Sequence, residues 1–298
     1  MARLDFAREF DVQYAVLDTV TPKVRRIVAR NPGPFTAWGT GTYVIGHGHV
    51  AIVDPGPDLA EHIGAVLDAL RGETVDQILV THTHLDHSPA SAEIKRATGA
   101  RSYGFGPHGG TPNDTGEEGA DRGFVPDHVL GHGDDLVIDG CRVTAVHTPG
   151  HTSNHLCFSL DHERILFTGD HVMGWSTTVV SPPDGNMTAY VRSLEALLGR
   201  DDAIYLPTHG PAVRDPHALV EGLIEHRHER RHAILAALAG GGKPILEIVD
   251  MVYIGLDPRL RQGAARSVFA HLIELVEQGE VVSDGPLAIG ERYRLAGA

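Results

Sequence analysis

Along the first two thirds of the chain the hydrophobic positions fall in short runs cut by glycine, proline and aspartate, the rhythm of strands and turns. Gly41–Gly46 and Val50–Val53 read as a hairpin turning at Gly46-His47-Gly48-His49, whose two histidines are turn residues. Gln77–Thr81 reads as a short buried strand. Leu136–Asp139, Arg142–His147, His155–Leu160 and Ile165–Thr168 are four further β-like runs, and Ala203–Leu206 is the last. Helical spacing interrupts them. Asp58–Arg71 puts Leu59, Ile63, Val66, Leu67 and Leu70 on one face, Ala90–Thr98 stops at Gly99, and Thr188–Leu198 is a third helix. Gly104–Gly123 has no periodicity and reads as a long loop.

From about Asp215 the spacing turns helical. Ala218–Ala239 is amphipathic and ends at Gly240-Gly241-Gly242, Pro244–Met251 and Pro258–Gln278 follow, and Val281-Val282 with Leu287–Leu295 closes as a small hairpin. Helix, helix, helix, hairpin is the order of a winged helix. The chain thus divides into an N-terminal extension and strand region (1–37), a catalytic domain (38–214) and a winged-helix-like domain (215–298).

Composition narrows what this architecture can do. The 298 residues are 42% hydrophobic, enough for a sizeable core, and carry 25 basic against 39 acidic side chains, a net charge of -14. Most of that charge precedes Pro216. The near-neutral tail lacks the basic stripe of a DNA reader, so DNA is excluded and the winged helix reads as a cap or a homodimer contact. No apolar run approaches the roughly 18 residues of a spanning helix, and the first residues show no signal-peptide core, so the chain is expected to be cytoplasmic and off the membrane. Cys141 and Cys157 read as buried thiols. The 20 histidines are the anomaly, and their spacing decides what they mean.

Thr81-His82-Thr83-His84-Leu85-Asp86-His87 places three imidazoles and a carboxylate within six residues, directly after a buried strand. His82 and His84 can turn toward one ion, while Asp86 and His87, in the tightening turn, can face a second. Imidazole nitrogen and carboxylate oxygen are ordinary zinc ligands.

This His-x-His-x-Asp-His motif resembles that of the metallo-β-lactamase fold superfamily of binuclear hydrolases, over about residues 38–212. The resemblance implies an αββα sandwich and three more ligands at strand ends. Thr148-Pro149-Gly150-His151 offers His151, Thr168-Gly169-Asp170 offers Asp170, and Pro207-Thr208-His209-Gly210 offers His209. Carried over, His82, His84 and His151 hold the first metal, Asp86, His87 and His209 the second, and Asp170 bridges them. Two Zn²⁺ are expected, with Mn²⁺ or Fe²⁺ as alternatives. A hydroxide shared by the ions is the nucleophile, and Asp86 and Asp170 are the catalytic carboxylates. Asp54, in Val53-Asp54-Pro55-Gly56, is placed to bond a ligand histidine or simply to cap its turn. His147 and His155 read as neighbours of the ligands, and His171 as a residue beside the site that can meet substrate.

Ser181-Pro182-Pro183-Asp184-Gly185-Asn186-Met187, with Tyr190 and the winged-helix tail, is similar to the lactamase-β-2-like branch. That resemblance implies a small acyl substrate (thioester, ester, lactone or lactam), with an endoribonuclease acting on RNA or a glyoxalase II-like thioesterase as alternatives. A mononuclear iron dioxygenase on His82, His151 and Asp170 is disfavoured by the complete second set. The long loop, Trp175, Met187 and Tyr190 are expected to line the cleft.

Overall fold

The computed structural model describes residues 4–109 and 119–297. Its first sheet has seven strands in sequence order: β1 (Asp18–Thr21), β2 (Val24–Val28), β3 (Gly41–Ile45), β4 (His49–Val53), β5 (Thr74–Leu79), β6 (Arg101–Gly104) and β7 (His128–Val129). The strands are antiparallel up to β4 and parallel beyond it. The change falls where α1 (Ala60–Ala69) and α2 (Ser91–Thr98) enter the chain, because a parallel step needs a crossover. The second sheet is β8 (Asp135–Ile138), β9 (Cys141–His147), β10 (Leu156–Leu160) and β11 (Ile165–Gly169), with β12 (Ile204–Pro207) added parallel to β11 after α3 (Met187–Leu197).

The two sheets pack face to face. Tyr43, Ile45, Val53 and Leu79 from the first meet Val143, Ala145, Phe158 and Phe167 from the second. Alternate residues of the same strands turn outward under helices. Val44, Ile52 and Ile78 pack with Ile63 and Val66 of α1 and Ile94 of α2. Cys157, Leu166 and Tyr205 pack with Met187, Tyr190 and Leu194 of α3. This is the expected αββα sandwich. Its inner strands are buried on both faces, which is why β3, β10 and β11 read as nearly unbroken apolar runs.

The tail comprises α4 (Pro216–Leu238), β13 (Lys243–Pro244), α5 (Ile245–Val252), α6 (Arg261–Glu277), β14 (Val281–Ser283) and β15 (Arg292–Leu295), the strands pairing in the order β13-β15-β14. This is the winged helix. α4 begins before the sequence-predicted Ala218 because the Asp215 side chain accepts from Ala218 N–H and Pro216 fits the first turn. It serves two cores: Val220 and Leu223 pack on the sandwich, Ile234 and Leu238 on α5 and α6.

Elsewhere the structure corrects the sequence. β1 and β2 are integral strands of the first sheet. β6 gives no periodic signal, because Arg-Ser-Tyr-Gly offers one apolar side chain. The wing strand is Arg292–Leu295 only, Leu287 and Ile289 standing exposed before it. β5 spans Thr74–Leu79 instead of reaching Thr81, whose N–H bonds the Asp54 carboxylate and so leaves the ladder. Residues 110–118 of the long loop lie outside the described residues. Cys141 and Cys157 are free and buried. Among the described residues no helix is long and apolar enough to cross a membrane.

Candidate metal centre

Four strand ends converge at one rim of the sandwich: the loop after β5 carries residues 82–87, the turn after β9 His151, the end of β11 Asp170, and the residues after β12 His209. Two glycines make the approach possible. A Cβ on Gly150 (φ +145°) would lie 2.3 Å from the Tyr190 Cα beneath it, and one on Gly169 (φ +50°) 2.6 Å from His155 Nε2. The Thr-Pro-Gly-His and Thr-Gly-Asp spellings therefore have a steric cause.

All seven sequence-predicted ligands come together. His82 Nε2 lies 2.9 Å from His84 Nδ1, which lies 3.1 Å from His151 Nε2. In the neighbouring set, His209 Nε2 is 3.1 Å from Asp86 Oδ2, and His87 Nε2 is 3.5 Å from the same oxygen. Asp170 stands between the sets, its Oδ2 3.6 Å from His87 Nε2 and 3.9 Å from His151 Nε2, its Oδ1 3.4 Å from His209 Nε2. Ligands about 2.0–2.1 Å from a tetrahedral ion stand about 3.3 Å apart, so this spacing suits two ions. His82, His84 and His151 form one group able to hold an ion, and Asp86, His87 and His209 another. His87 Nε2 and Asp170 Oδ1 are buried without a hydrogen-bond partner, an arrangement that a bound cation relieves.

Ring tautomers are fixed from behind. His151 Nδ1–H donates to Val179 O (2.7 Å) and His209 Nδ1–H to Gly39 O (3.1 Å), leaving each Nε2 as the atom that faces the site. His87 Nδ1–H donates to Asp54 Oδ2 (2.9 Å). His82 Nδ1–H reaches Thr81 Oγ1 (3.1 Å), which itself donates to Asp54 Oδ2 (2.8 Å). Asp54 is wholly buried and takes further bonds from Thr81 N–H and Thr208 Oγ1, both 2.8 Å. One carboxylate thus holds the ends of β4, β5 and β12 together and supports two histidines.

In the metal-free protein, protons stand where cations would. Burial works against a charged His87, but Asp86, Asp170 and Asp54 outweigh it and hold its pKa well above the ordinary value. His209, resisted by burial and favoured by Asp170 and Asp86, is raised to about 10. Burial drives His82 well below its ordinary value, aided by the repulsion of His87, His84 and His151, and leaves it a neutral ring.

The neighbours divide differently from expectation. His155 accepts from Asp170 N–H through Nε2 (3.2 Å) and so fixes that peptide. His171 is fully buried between His155 and Tyr190, pushed down to about 3 by burial, and does not reach a cleft. Met187 and Tyr190, expected to line the cleft, are core residues of α3 because that face packs on the second sheet. His47 and His49 sit in the exposed hairpin turn. Asp184 of the Ser-Pro-Pro-Asp motif accepts from Ser153 N–H and Oγ and braces the turn after His151. Sequence reasoning missed His108, 3.0 Å from Thr83 Oγ1 with its ring 5.9 Å from His84, and Asn154, which bonds the same hydroxyl at 2.9 Å. Neither lies in a spaced pattern. Thr40, whose Oγ1 lies 3.3 Å from Asp86 Oδ2, was invisible for the same reason.

A two-sheet sandwich with clustered histidines and aspartates at one rim defines a class of metal-binding hydrolases. The chain belongs to the Metallo-beta-lactamase superfamily, whose profile matches residues 36–209, and the Beta-lactamase associated winged helix domain matches residues 245–288. The Beta-lactamase-like protein 2 homolog of Drosophila melanogaster is 31% identical, covering 88% of this chain and 90% of its own. The Atrochrysone carboxyl ACP thioesterase dmxR1 of a Cryptosporiopsis species is 29% identical over 89% of this chain and 83% of its own. A solved metallo-beta-lactamase family protein of Thermus thermophilus superimposes with a TM-score of 0.77 at 26% identity, covering 93% of this chain and all of that one.

Binding metal requires His87 and His209 to lose the protons that the carboxylates hold on them, so affinity should rise with pH across the neutral range. Calorimetric titration in buffers of different ionisation enthalpy should count about two protons released per chain at pH 7; none released would refute this. The support from behind can be tested separately. Asp54→Asn puts an NH₂ where donors now point, which removes the acceptor that fixes the His87 tautomer. Metal affinity should fall about 10–100-fold with the fold retained, as read by competition with a chelator and by circular dichroism.

Proposed function

We propose that the protein is a binuclear metal-dependent hydrolase of small acyl compounds, thioesters foremost. The juxtaposition of two donor sets across Asp170 carries the reading. His82, His84 and His151 would hold one ion, Asp86, His87 and His209 the other, and Asp170 both. Zinc suits this donor set, and manganese or iron are the alternatives. Two dications held there would supply a water nucleophile at neutral pH and a Lewis-acid contact for the scissile carbonyl oxygen.

The remaining steps belong to the chain. Asp86 Oδ2, at the half-buried side of the cluster beside exposed Leu85, would take the proton of the attacking water. Thr40 Oγ1 keeps that oxygen turned inward. The Asp54–Thr81–His82 and Asp54–His87 bonds hold the imidazoles in one orientation through the reaction. A thioesterase among the full-length relatives supports the acyl choice. The net charge of -14 disfavours a strand of phosphates, which needs basic contacts along its length.

Metal-replete protein given acyl thioesters, simple esters, lactones and single-stranded RNA at matched salt should cleave thioesters fastest, followed by free-thiol release. Faster RNA cleavage would replace the acyl reading with the ribonuclease one. Elemental analysis separates the ligands: wild type should carry close to two metals per chain, Asp170→Ala should lose occupancy at both positions, and His209→Ala chiefly at one. Near-wild-type occupancy in both variants would contradict the ligand assignment.

A further inference from the structure

Away from the metal cluster, a cavity of about 370 Å³ lies among the N-terminal segment, the residues after Asp170 and the helices of the tail. Arg8, Arg227 and Arg230 line it, and no aspartate or glutamate does, in a chain with a net charge of -14. Among the described residues none of these guanidinium groups has a carboxylate partner. Arg227 is 2% exposed, which makes an unmatched charge costly. Its Nη2 donates to Thr178 O, and its guanidinium lies 5.1 Å from the Tyr190 ring centroid. Arg230 spends Nη1 on Val252 O and Nε on His226 Nε2.

The polar atoms left over around this cavity share one character. Arg227 Nε, Trp175 Nε1 and His226 Nδ1 are all buried without a hydrogen-bond partner. Arginine and indole nitrogens can only donate. His226 accepts from Arg230 at Nε2, so the proton of its neutral ring sits on Nδ1, and that atom donates too. Burial and then the repulsion of Arg227 and Arg230 push His226 down to about 3, which keeps the ring neutral. Three unmatched donors, the buried charge of Arg227 and a wall without acids favour an acceptor with negative charge. Phe6, Phe35 and Tyr253 add aromatic wall beside them.

We infer that this cavity binds an organic anion: a carboxylate or phosphate monoester received by the guanidinium groups of Arg8, Arg227 and Arg230, with an apolar or aromatic body against Phe6, Phe35 and Tyr253. The charge-assisted bonds fix the head group, and the aromatic wall selects a body over an inorganic ion. None of the seven proposed metal ligands lines the cavity, although Val179, whose carbonyl holds His151, forms part of its wall, and the inference does not rest on the identity of the acyl substrate.

Direct calorimetric binding to the full metal-replete chain tests it, with 4-phenylbutyrate, phenyl phosphate and the neutral 4-phenylbutyramide as probes. Both acids should bind saturably, the tighter of the two naming the preferred head group, and the amide at least ten-fold more weakly. Arg227→Met should weaken the acids at least ten-fold while metal content stays at the wild-type value. Arg8→Glu changes an exposed side chain, keeps the fold, and should weaken them several-fold; it carries the test alone if Arg227→Met fails to fold. Equal binding of acid and amide, unchanged affinity in Arg8→Glu, or acid binding lost on removing metal but not in Arg227→Met would overturn the inference.

Discussion

An ionised aspartate with no solvent around it has to be matched by donors, and Asp54 is matched by an unusual assortment: a backbone N–H, two threonine hydroxyls and an imidazole. These come from two strand ends, after β5 and after β12, and Asp54 itself ends a third, β4. Satisfying that one carboxylate therefore fixes where β4, β5 and β12 stop relative to each other, and their stopping points are what put His82, His87 and His209 around a common space. The residue itself sits at φ +48°, a conformation that aspartate tolerates better than most residues and that turns its side chain under the rim. Burial makes the arrangement strict, since an amide or hydroxyl cannot replace the charge without leaving a donor unmatched.

The same logic runs outward through the site. Each of four ligand histidines is held by its rear nitrogen, and the acceptors differ: a carboxylate for His87, a threonine hydroxyl for His82, peptide carbonyls for His151 and His209. The carbonyls cost the fold nothing in charge but need the backbone to pass at one place, and the glycines secure that passage. Gly150 lets its turn rest on Tyr190, and Gly169 lets β11 end against His155 and Thr81. Sheet packing, glycine placement and metal-ligand geometry are thus one problem solved once.

The candidate ligands were legible in the sequence and, Asp54 apart, their supports were not, for a physical reason. A metal site demands particular elements at particular spacings, so His82, His84, Asp86 and His87 announce themselves. A rear hydrogen bond demands only an oxygen, and the backbone at Val179 and Gly39 supplies one without help from any side chain. The fold was legible wherever a strand was buried on both faces, as at β10 and β11. It was lost where pairing outweighed pattern: Arg101–Gly104 is a strand because β5 lies beside it, and Lys243–Pro244 because β15 does. Arg227 passed as one charge among several in a basic, helical stretch until its burial set it apart.

Val179 and Thr178 are consecutive, and their carbonyls are claimed from opposite directions, by a metal-site histidine and by an arginine of α4. Two adjacent peptide units cannot tilt independently. The sandwich and the tail are therefore joined by a stiff splint as well as by packing, and a domain boundary drawn at the end of β12 would saw through it. A sandwich cut after His209 would keep every proposed ligand and lose the arginine that holds the Thr178 peptide.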